Sequence, residues 1–194
     1  MDYKIRFATP DDHDLIYALK TESIRPYVEK IWGWDENYQR NEFDYDFSAI
    51  GEFFVIEVEN KFAGFYQYYF QHPYNVIVEI HLLSEYRNNG IGSAILRNIQ
   101  KICDSEGEKM RIGCFKENYR AKCLYQKLGF IQIEETDTHC ILEYGLVSSV
   151  DEVIADATSK SNSVQSTSSS DDEPKECGKE SITVTPKPIR EYGD

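Results

Sequence analysis

The sequence predicts a mixed α/β fold in which a mostly antiparallel central sheet carries helices on both faces. Two pairs of β-rich segments, within residues 52–70 and 130–146, are each close enough in sequence to form a hairpin. Between these pairs, strand-like and helix-like segments alternate, as in a sheet with helices packed against it. After Val147 the composition changes from apolar to polar, which marks the end of the folded part.

The amino-terminal part of the chain predicts two helices. The run Thr9-Pro10-Asp11-Asp12 is a helix start, because threonine can cap a helix and proline suits its first turn. Acidic side chains also favour the positive end of the helix dipole. We expect the first helix to continue to about residue 30 and the second to span residues 35–46.

The rest of the folded part predicts strands and two further helices. Segments 52–59 and 62–70 are β-rich and separated by Asn60-Lys61, so we expect them to pair as a hairpin. The other segments follow in this order: a strand at 76–83, a helix at 92–105, a strand at 109–115, a helix at 118–128 that stops at Gly129, and a closing hairpin of 130–134 and 139–146.

The last segment differs sharply in composition. Residues 148–194 are rich in Ser, Thr, Asp and Glu, and Tyr192 is the single aromatic residue among them. Such a segment buries too little apolar surface to offset the entropy of ordering. We therefore expect one folded domain at residues 1–147 and a disordered acidic tail at residues 148–194, with a short helical stretch at residues 151–157.

Composition argues against several classes of function. A net charge of -13 disfavours nucleic acid as the main partner, because phosphate backbones need basic surfaces. The five cysteines lack metal-ligand spacing, so we expect no metal site, and their odd number favours a reduced, intracellular chain. With no apolar run of membrane-spanning length and no apolar signal core, the sequence predicts a cytoplasmic protein without a membrane partner.

A glycine-containing turn joins the strand at 76–83 to the helix that follows. In Arg87-Asn88-Asn89-Gly90-Ile91-Gly92-Ser93, unpaired backbone N–H groups and the helix dipole can cradle phosphate oxygens, and Arg87 adds a positive charge. The spacing is not that of a dinucleotide fingerprint, because Ile95 stands where the third glycine belongs, nor that of a P-loop. Taken alone, the loop is equally compatible with a tight turn.

A second segment changes this interpretation. The run Asn118-Tyr119-Arg120-Ala121-Lys122-Cys123-Leu124-Tyr125-Gln126-Lys127-Leu128-Gly129-Phe130 matches the pattern Asn-x-x-Ala-x-x-Leu-Tyr-x-x-x-Gly-Phe. Together with Arg-x-x-Gly-x-Gly in the loop, it resembles the GNAT superfamily of acetyl-CoA-dependent N-acetyltransferases over about residues 3–145. The resemblance implies a GNAT-like sheet, acetyl-CoA as cofactor, and neighbouring central strands that splay to admit the pantetheine arm. Asn88 and Asn89 stand where a glycine and a basic residue are frequent, which makes Arg87 more important.

The resemblance also implies which residues bind the cofactor. They are the strand residues Ile80, His81 and Leu82 through their backbone, the loop residues Arg87, Asn88, Asn89, Gly90, Ile91, Gly92 and Ser93, and the helix residues Asn118 and Tyr125. In the family, a bulge in the strand aims an N–H at the thioester carbonyl as an oxyanion donor. Asn118 is implied to hydrogen-bond the cofactor arm, although asparagine at a helix start is also an ordinary cap.

Three residues are candidates for catalysis. The resemblance implies that Tyr125 protonates or hydrogen-bonds the departing thiolate; the alternative is a tyrosine that packs at helical spacing. Glu79 and His81 are candidate bases, since strand alternation places both on one face and histidine titrates near neutrality. A hydrogen-bonded structural pair explains Glu79 and His81 equally well.

Aromatic residues are candidates for the acceptor pocket. Trp32 and Trp34 lie between the first two predicted helices, the region that lines the acceptor side in GNAT proteins. They can hold an amine by cation–π contact or serve as core anchors. Tyr66 is a third candidate on the strand at 62–70, where plain packing is the alternative.

The sequence therefore predicts an N-acetyltransferase that transfers acetyl directly from acetyl-CoA to a primary amine. The acceptor is a small molecule or a protein or peptide amine, and the enzyme is a monomer or homodimer. The alternative is a non-catalytic acyl-CoA-binding sensor or scaffold with the same fold.

Overall fold

A computed structural model describes residues 1–145 of the chain; the predicted tail at residues 148–194, with its helical stretch, lies outside them. The described part contains seven strands, four α-helices and three short 3₁₀ turns. In chain order the strands and α-helices are β1 (Lys4–Phe7), α1 (His13–Ile31), α2 (Glu36–Phe47), β2 (Phe53–Val58), β3 (Lys61–Gln71), β4 (Tyr74–Leu82), α3 (Ile91–Glu106), β5 (Lys109–Phe115), α4 (Tyr119–Lys127), β6 (Ile131–Glu135) and β7 (His139–Tyr144). None of the helices described is long and apolar enough to cross a membrane.

The strands form one sheet in the order β1-β2-β3-β4-β5-β7-β6. The pair β4–β5 is parallel and all other neighbours are antiparallel, which confirms the predicted mixed sheet. A parallel pair needs a crossover connection, which α3 provides. Both predicted hairpins are confirmed, and the first one turns at Glu59 and Asn60, whose φ values of 53° and 62° suit a two-residue hairpin loop.

The sheet separates two apolar layers. On one face α3 and α4 cover the sheet, and the buried residues of this layer include Ile95, Leu96, Met110 and Leu142. On the other face α1 and α2 cover it, with Ile16, Leu19, Phe43, Phe53 and Phe65 in the core. Helices therefore lie on both faces, as the sequence predicts.

The first helix begins later than the sequence predicts. Pro10–Asp12 forms a 3₁₀ turn, and α1 starts at His13. Asp12 is bonded to Arg6 of β1, with distances of 2.7 and 2.8 Å from the two terminal guanidinium nitrogens. The same carboxylate accepts bonds from the backbone N–H and the hydroxyl of Thr9. These contacts tie the start of α1 to the edge of the sheet.

Strands β4 and β5 pair over the first part of β4. Their ladder runs from Tyr74–Lys109 to Ile77–Ile112, whereas β4 continues to Leu82 and β5 to Phe115. A bulge marks the same point, because Gln67 of β3 lies opposite Glu79 and Tyr68 lies opposite Ile77. Val78 is therefore the extra residue. The sheet opens beyond it, between the last residues of β4 and those of β5.

Candidate active site

The loop between β4 and α3 has the backbone of an anion-binding cradle. Asn88 and Gly90 adopt left-handed conformations, with φ values of 66° and 81°. Left-handed residues in a turn can bring neighbouring N–H groups to one side, as they do in anion-binding nests. Among the described residues, a Cβ at Gly90 would meet nothing within 4 Å, and one at Gly92 would meet Ile80 at 3.9 Å. The space in front of the loop is thus open to a ligand.

The amino end of α3 faces the same space. Ala94 N donates to Gly90 O at 2.9 Å, which begins the helical ladder. The N–H groups of Ile91, Gly92 and Ser93 precede this bond and have no partner within the helix. Their partial positive charge adds to that of the loop and favours an anion such as a diphosphate.

Arg87 is held at the end of β4. Its Nε donates to Leu82 O at 2.7 Å, and one terminal nitrogen lies 3.5 Å from Glu22 of α1. The guanidinium is therefore fixed beside the loop, with part of its charge offset by α1. Asn89 contributes its side-chain amide to the loop itself, donating to Glu85 O and Arg87 O.

A second arginine lies at the loop, and the sequence analysis did not identify it. Arg120, in the first turn of α4, donates to Asn88 Oδ1. The helix dipole disfavours a cation in this turn, so local helix preference does not explain an arginine there. That feature is the signal by which the sequence could have identified Arg120.

Tyr125 and Asn118 lie on α4. Asn118 Oδ1 accepts the Ala121 N–H at 3.1 Å, so the side chain caps the helix. Tyr125 is buried, 6% exposed, with its ring centroid 6.0 Å from that of Phe130. Burial, with a smaller contribution from the Cys114 thiol of β5, raises the pKa of Tyr125 above its usual value. The phenol therefore stays protonated at neutral pH and can donate a hydrogen bond.

Glu79 and His81 lie on one face of β4, as strand alternation predicts, and they bond to each other. His81 Nε2 is 3.0 Å from Glu79 Oε2, and the ring of His81 packs 5.3 Å from Phe65. Since a carboxylate only accepts, the nitrogen that faces it carries the proton. In this tautomer Nδ1 is the proton acceptor of the ring.

Lys20 completes this group, and the sequence analysis did not identify it. Its Nζ lies 3.0 Å from Glu79 Oε1, inside the layer formed by α1. Burial alone would raise the pKa of the Glu79 carboxyl, but Lys20 and the hydrogen bond from His81 lower it to about 2. The available signal was Lys20 itself, a charged residue four positions from both Ile16 and Ile24 on the buried stripe of α1.

The two tryptophans lie at the end of α1. Trp34 packs with the cluster of Ile24, Val28 and Phe115, and its Nε1 donates to Glu36 Oε2 at 2.9 Å. The guanidinium of Arg25 stands 5.2 Å from its ring centre, so one face of Trp34 already has a cation. Trp32 ends the helix, with its N–H bonded to Val28 O, and is 37% exposed.

Tyr66 lies on the opposite face of the sheet from Glu79 and His81. It stands across from Ile80 in the ladder and belongs to the layer under α3. Its ring stacks on Phe54 with centroids 4.9 Å apart, and burial raises its pKa to about 12. The structure therefore brings Glu79 and His81 together with Lys20, and does not bring Tyr66 to this group.

A family model described as the acetyltransferase (GNAT) family matches residues 16–130. No curated protein matches the sequence at a significant level.

Several solved structures share the fold. The PaiA N-acetyltransferase from Thermoplasma acidophilum, in complex with coenzyme A, is 20% identical with a TM-score of 0.59, over 74% of this chain and 98% of that one. An N-acetyltransferase from Staphylococcus aureus Mu50 is 19% identical with a TM-score of 0.58, over 73% and 100% of the two chains. Ard1 from Thermoplasma volcanium is 18% identical with a TM-score of 0.56, over 74% and 97%. At these identities the likeness is one of fold.

Proposed function

Because the chain belongs to the acetyltransferase (GNAT) family, we propose that it moves an acetyl group from acetyl-CoA to the primary amine of an acceptor. The observation that carries the proposal is the opening of the sheet after Ile77 and Ile112. The anion cradle of residues 87–93 follows the carboxyl end of β4, and Glu79 and His81 lie on the part of β4 that pairs with β3 but not with β5. The same fold in the PaiA N-acetyltransferase is found in complex with coenzyme A.

The residues around the opening fit acetyl-CoA. The loop of residues 87–93 would hold its diphosphate through backbone N–H groups, since the space before Gly90 and Gly92 is open. The edge of Ile80, His81 and Leu82 that faces β5 would bond the pantetheine amides as an added strand does. Arg87 and Arg120 would supply positive charge beside the phosphates. Asn118 would contribute its amide nitrogen, because its oxygen caps α4.

Acetyl-CoA would supply a thioester. In the transfer, the amine nitrogen bonds to the carbonyl carbon, the C–S bond breaks, and CoA leaves as the thiol. Since the acceptor starts as an ammonium, the overall reaction releases one proton. The phenol of Tyr125 donates a hydrogen bond where negative charge develops on sulfur. A backbone N–H at the Val78 bulge is the candidate donor to the carbonyl oxygen. Both donors act only if they are held in place, and both lie on packed secondary structure.

The amine must reach the thioester without its proton. An alkylammonium has a pKa of about 10.4, so a base has to remove the proton at neutral pH. His81 and Glu79 are the candidates; they bond to each other, and Glu79 also bonds Lys20 of α1. Trp32 and Trp34, at the end of α1, are candidates for the rim of the acceptor site. Both small amines and protein or peptide amines remain candidate acceptors.

A cytoplasmic location is also part of the proposal. The thiols of Cys103, Cys114, Cys123 and Cys140 are free, which suits a reducing compartment.

The test is a transfer assay with a panel of amines. The full chain is incubated with acetyl-CoA and small amines, amino acids or peptides, and thiol release is measured together with the mass of the product. We expect acetylated product with at least one class of amine. Tight acetyl-CoA binding in calorimetry without product from any class would contradict transfer and support the sensor.

A further inference from the structure

We propose that Lys20 is a positioning residue for removal of the amine proton: it balances the charge of Glu79, so that His81 can serve as the neutral proton acceptor through Nδ1. This inference rests on the proposed function and extends it to a residue of α1. Lys20 would act through Glu79 and His81 and need not touch the substrate.

The geometry is that of a buried relay across two elements. Lys20 Nζ and His81 Nε2 each lie 3.0 Å from a different carboxylate oxygen of Glu79. The side chains of Lys20, Glu79 and His81 are 9%, 10% and 17% exposed. One carboxylate thus lies between an ammonium and an imidazole, largely away from water.

The surroundings add little charge of their own. From β3, Gln67 lies opposite Glu79 and Phe65 lies opposite His81. From α2, the ring of Phe43 stands 5.9 Å from Lys20 Nζ.

The neighbouring charged groups have partners of their own. Glu52 accepts from Gln67, and Arg87, which bonds Leu82 O beside His81, is paired with Glu22. Within the described residues, the charge of Glu79 therefore depends mainly on Lys20 and His81.

A buried carboxylate is costly unless a charged partner balances it. With Lys20 present, Glu79 stays ionised whether or not His81 carries a second proton. Without Lys20, the carboxylate keeps its charge best when His81 becomes an imidazolium. A histidine that is already protonated cannot accept the proton of the amine.

The proton passes from the acceptor ammonium to His81. An N–H bond of the acceptor ammonium breaks, its electron pair stays on nitrogen, and the proton bonds to Nδ1 of His81. Glu79 then stabilises the imidazolium through the Nε2–H bond, and the proton later passes to solvent. Lys20 takes no proton in this sequence.

The first test is the pH dependence of kcat/KM in the Lys20→Met variant. We expect its acid limb to move upward by about one pH unit, so that activity falls by up to about tenfold at acidic pH, by less near neutrality, and recovers at alkaline pH. Lys20→Arg, which keeps the charge, should restore much of the wild-type profile. Lys30→Met is the matched control, because Lys30 is an exposed lysine of α1 paired with Glu117. An equal loss at every pH would overturn the proposal.

The second test does not need activity. In the full chain without acceptor, NMR follows the titration of the His81 ring. We expect its midpoint to lie higher in Lys20→Met than in the wild type, and to return in Lys20→Met/Glu79→Gln, where both charges are removed. An unchanged midpoint in Lys20→Met would overturn the role of Lys20 alone. The shifted midpoint without transfer to any amine would instead overturn the proposed function, and with it the role of Lys20 in the reaction.

Discussion

The guanidinium of Arg120 bonds the side chain of Asn88, so the helix that carries Tyr125 is tied to the loop before α3. The loop lacks a basic residue at Asn88 and Asn89, and α4 brings one to the same place from another part of the chain. The two regions that match the GNAT motifs are therefore linked directly.

Replacing Arg120 tests whether it supports phosphate binding. Arg120→Ala should weaken acetyl-CoA binding about tenfold, because it removes a cation beside the phosphates. Calorimetry at two salt concentrations should also show a smaller salt dependence than in the wild type. Arg97→Ala, on the exposed surface of α3, is the control and should change neither quantity. Equal affinity in the two variants would count against a phosphate role for Arg120.

Replacing Gly90 tests the cradle. Gly90→Ala should cost about 1 kcal/mol in unfolding free energy, because alanine is strained at a φ of 81°, and should largely abolish acetyl-CoA binding. Its Cβ would enter the open space where the ligand is expected.

Gly107→Ala is the matched control for Gly90→Ala. Gly107 has a φ of 67° and, among the described residues, equally open surroundings, but it lies at the other end of α3. Denaturant unfolding should show similar losses for the two variants, while calorimetry should show lost binding for Gly90→Ala alone. Retained acetyl-CoA binding in Gly90→Ala would refute the cradle.

Removing the Tyr125 hydroxyl tests its role in the leaving step. Tyr125→Phe should lower kcat more than tenfold and leave acetyl-CoA affinity nearly unchanged, because the bond to sulfur matters most in the transition state. Tyr144→Phe removes a phenol that bonds Asp104 outside the site and should keep its kcat. A Tyr125→Phe enzyme with wild-type kcat at saturating substrates would exclude the hydroxyl from the mechanism.

The pair Arg6–Asp12 predicts a pH dependence of stability. The hydrogen bond from Arg6, helped by Thr9, lowers the pKa of Asp12 to about 2 from an ordinary value of 3.8, despite burial. When folding lowers the pKa of a carboxyl, its ionised form stabilises the folded protein. This stabilisation is complete above the pKa of the unfolded state and is lost as pH falls through the pKa of the folded state. Asp12 should therefore contribute about 2 kcal/mol above pH ~4, lost by pH ~2.

Asp12→Asn isolates this contribution. The variant should be less stable than the wild type at pH 6, and the difference should shrink toward pH 2 in denaturant unfolding followed by circular dichroism. A difference that stays constant between these pH values would mean that the ionised carboxylate of Asp12 is not the cause.

Much of the fold could be predicted because its signals are local. The strand at residues 109–115 was predicted with the bounds that the structure gives. Other observed bounds differ from the predicted ones where residues distant in sequence determine them. For example, α1 starts at His13, because Asp12 is bonded to Arg6. The bulge at Val78 depends on how β3 pairs with β4, which no local pattern in β4 reveals.

For the candidate site, the sequence indicates residue types more readily than their arrangement. Strand alternation correctly placed Glu79 and His81 on one face, but Lys20 joins them from a helix distant in sequence. Alternation also put Tyr66 on one face of its strand without showing which helices cover that face. Long-range pairing is what the sequence pattern lacks in both cases.

Four residue pairs, from Tyr74–Lys109 to Ile77–Ile112, make up the β4–β5 ladder that joins the two halves of the sheet. Beyond Ile77, the amide hydrogens of β4 that point toward β5 have no partner in the β4–β5 ladder, so they should exchange quickly with deuterium until an extended molecule covers them. Slower exchange within residues 78–82 after addition of acetyl-CoA would then show that the ligand occupies the opening between β4 and β5, before any acceptor is known.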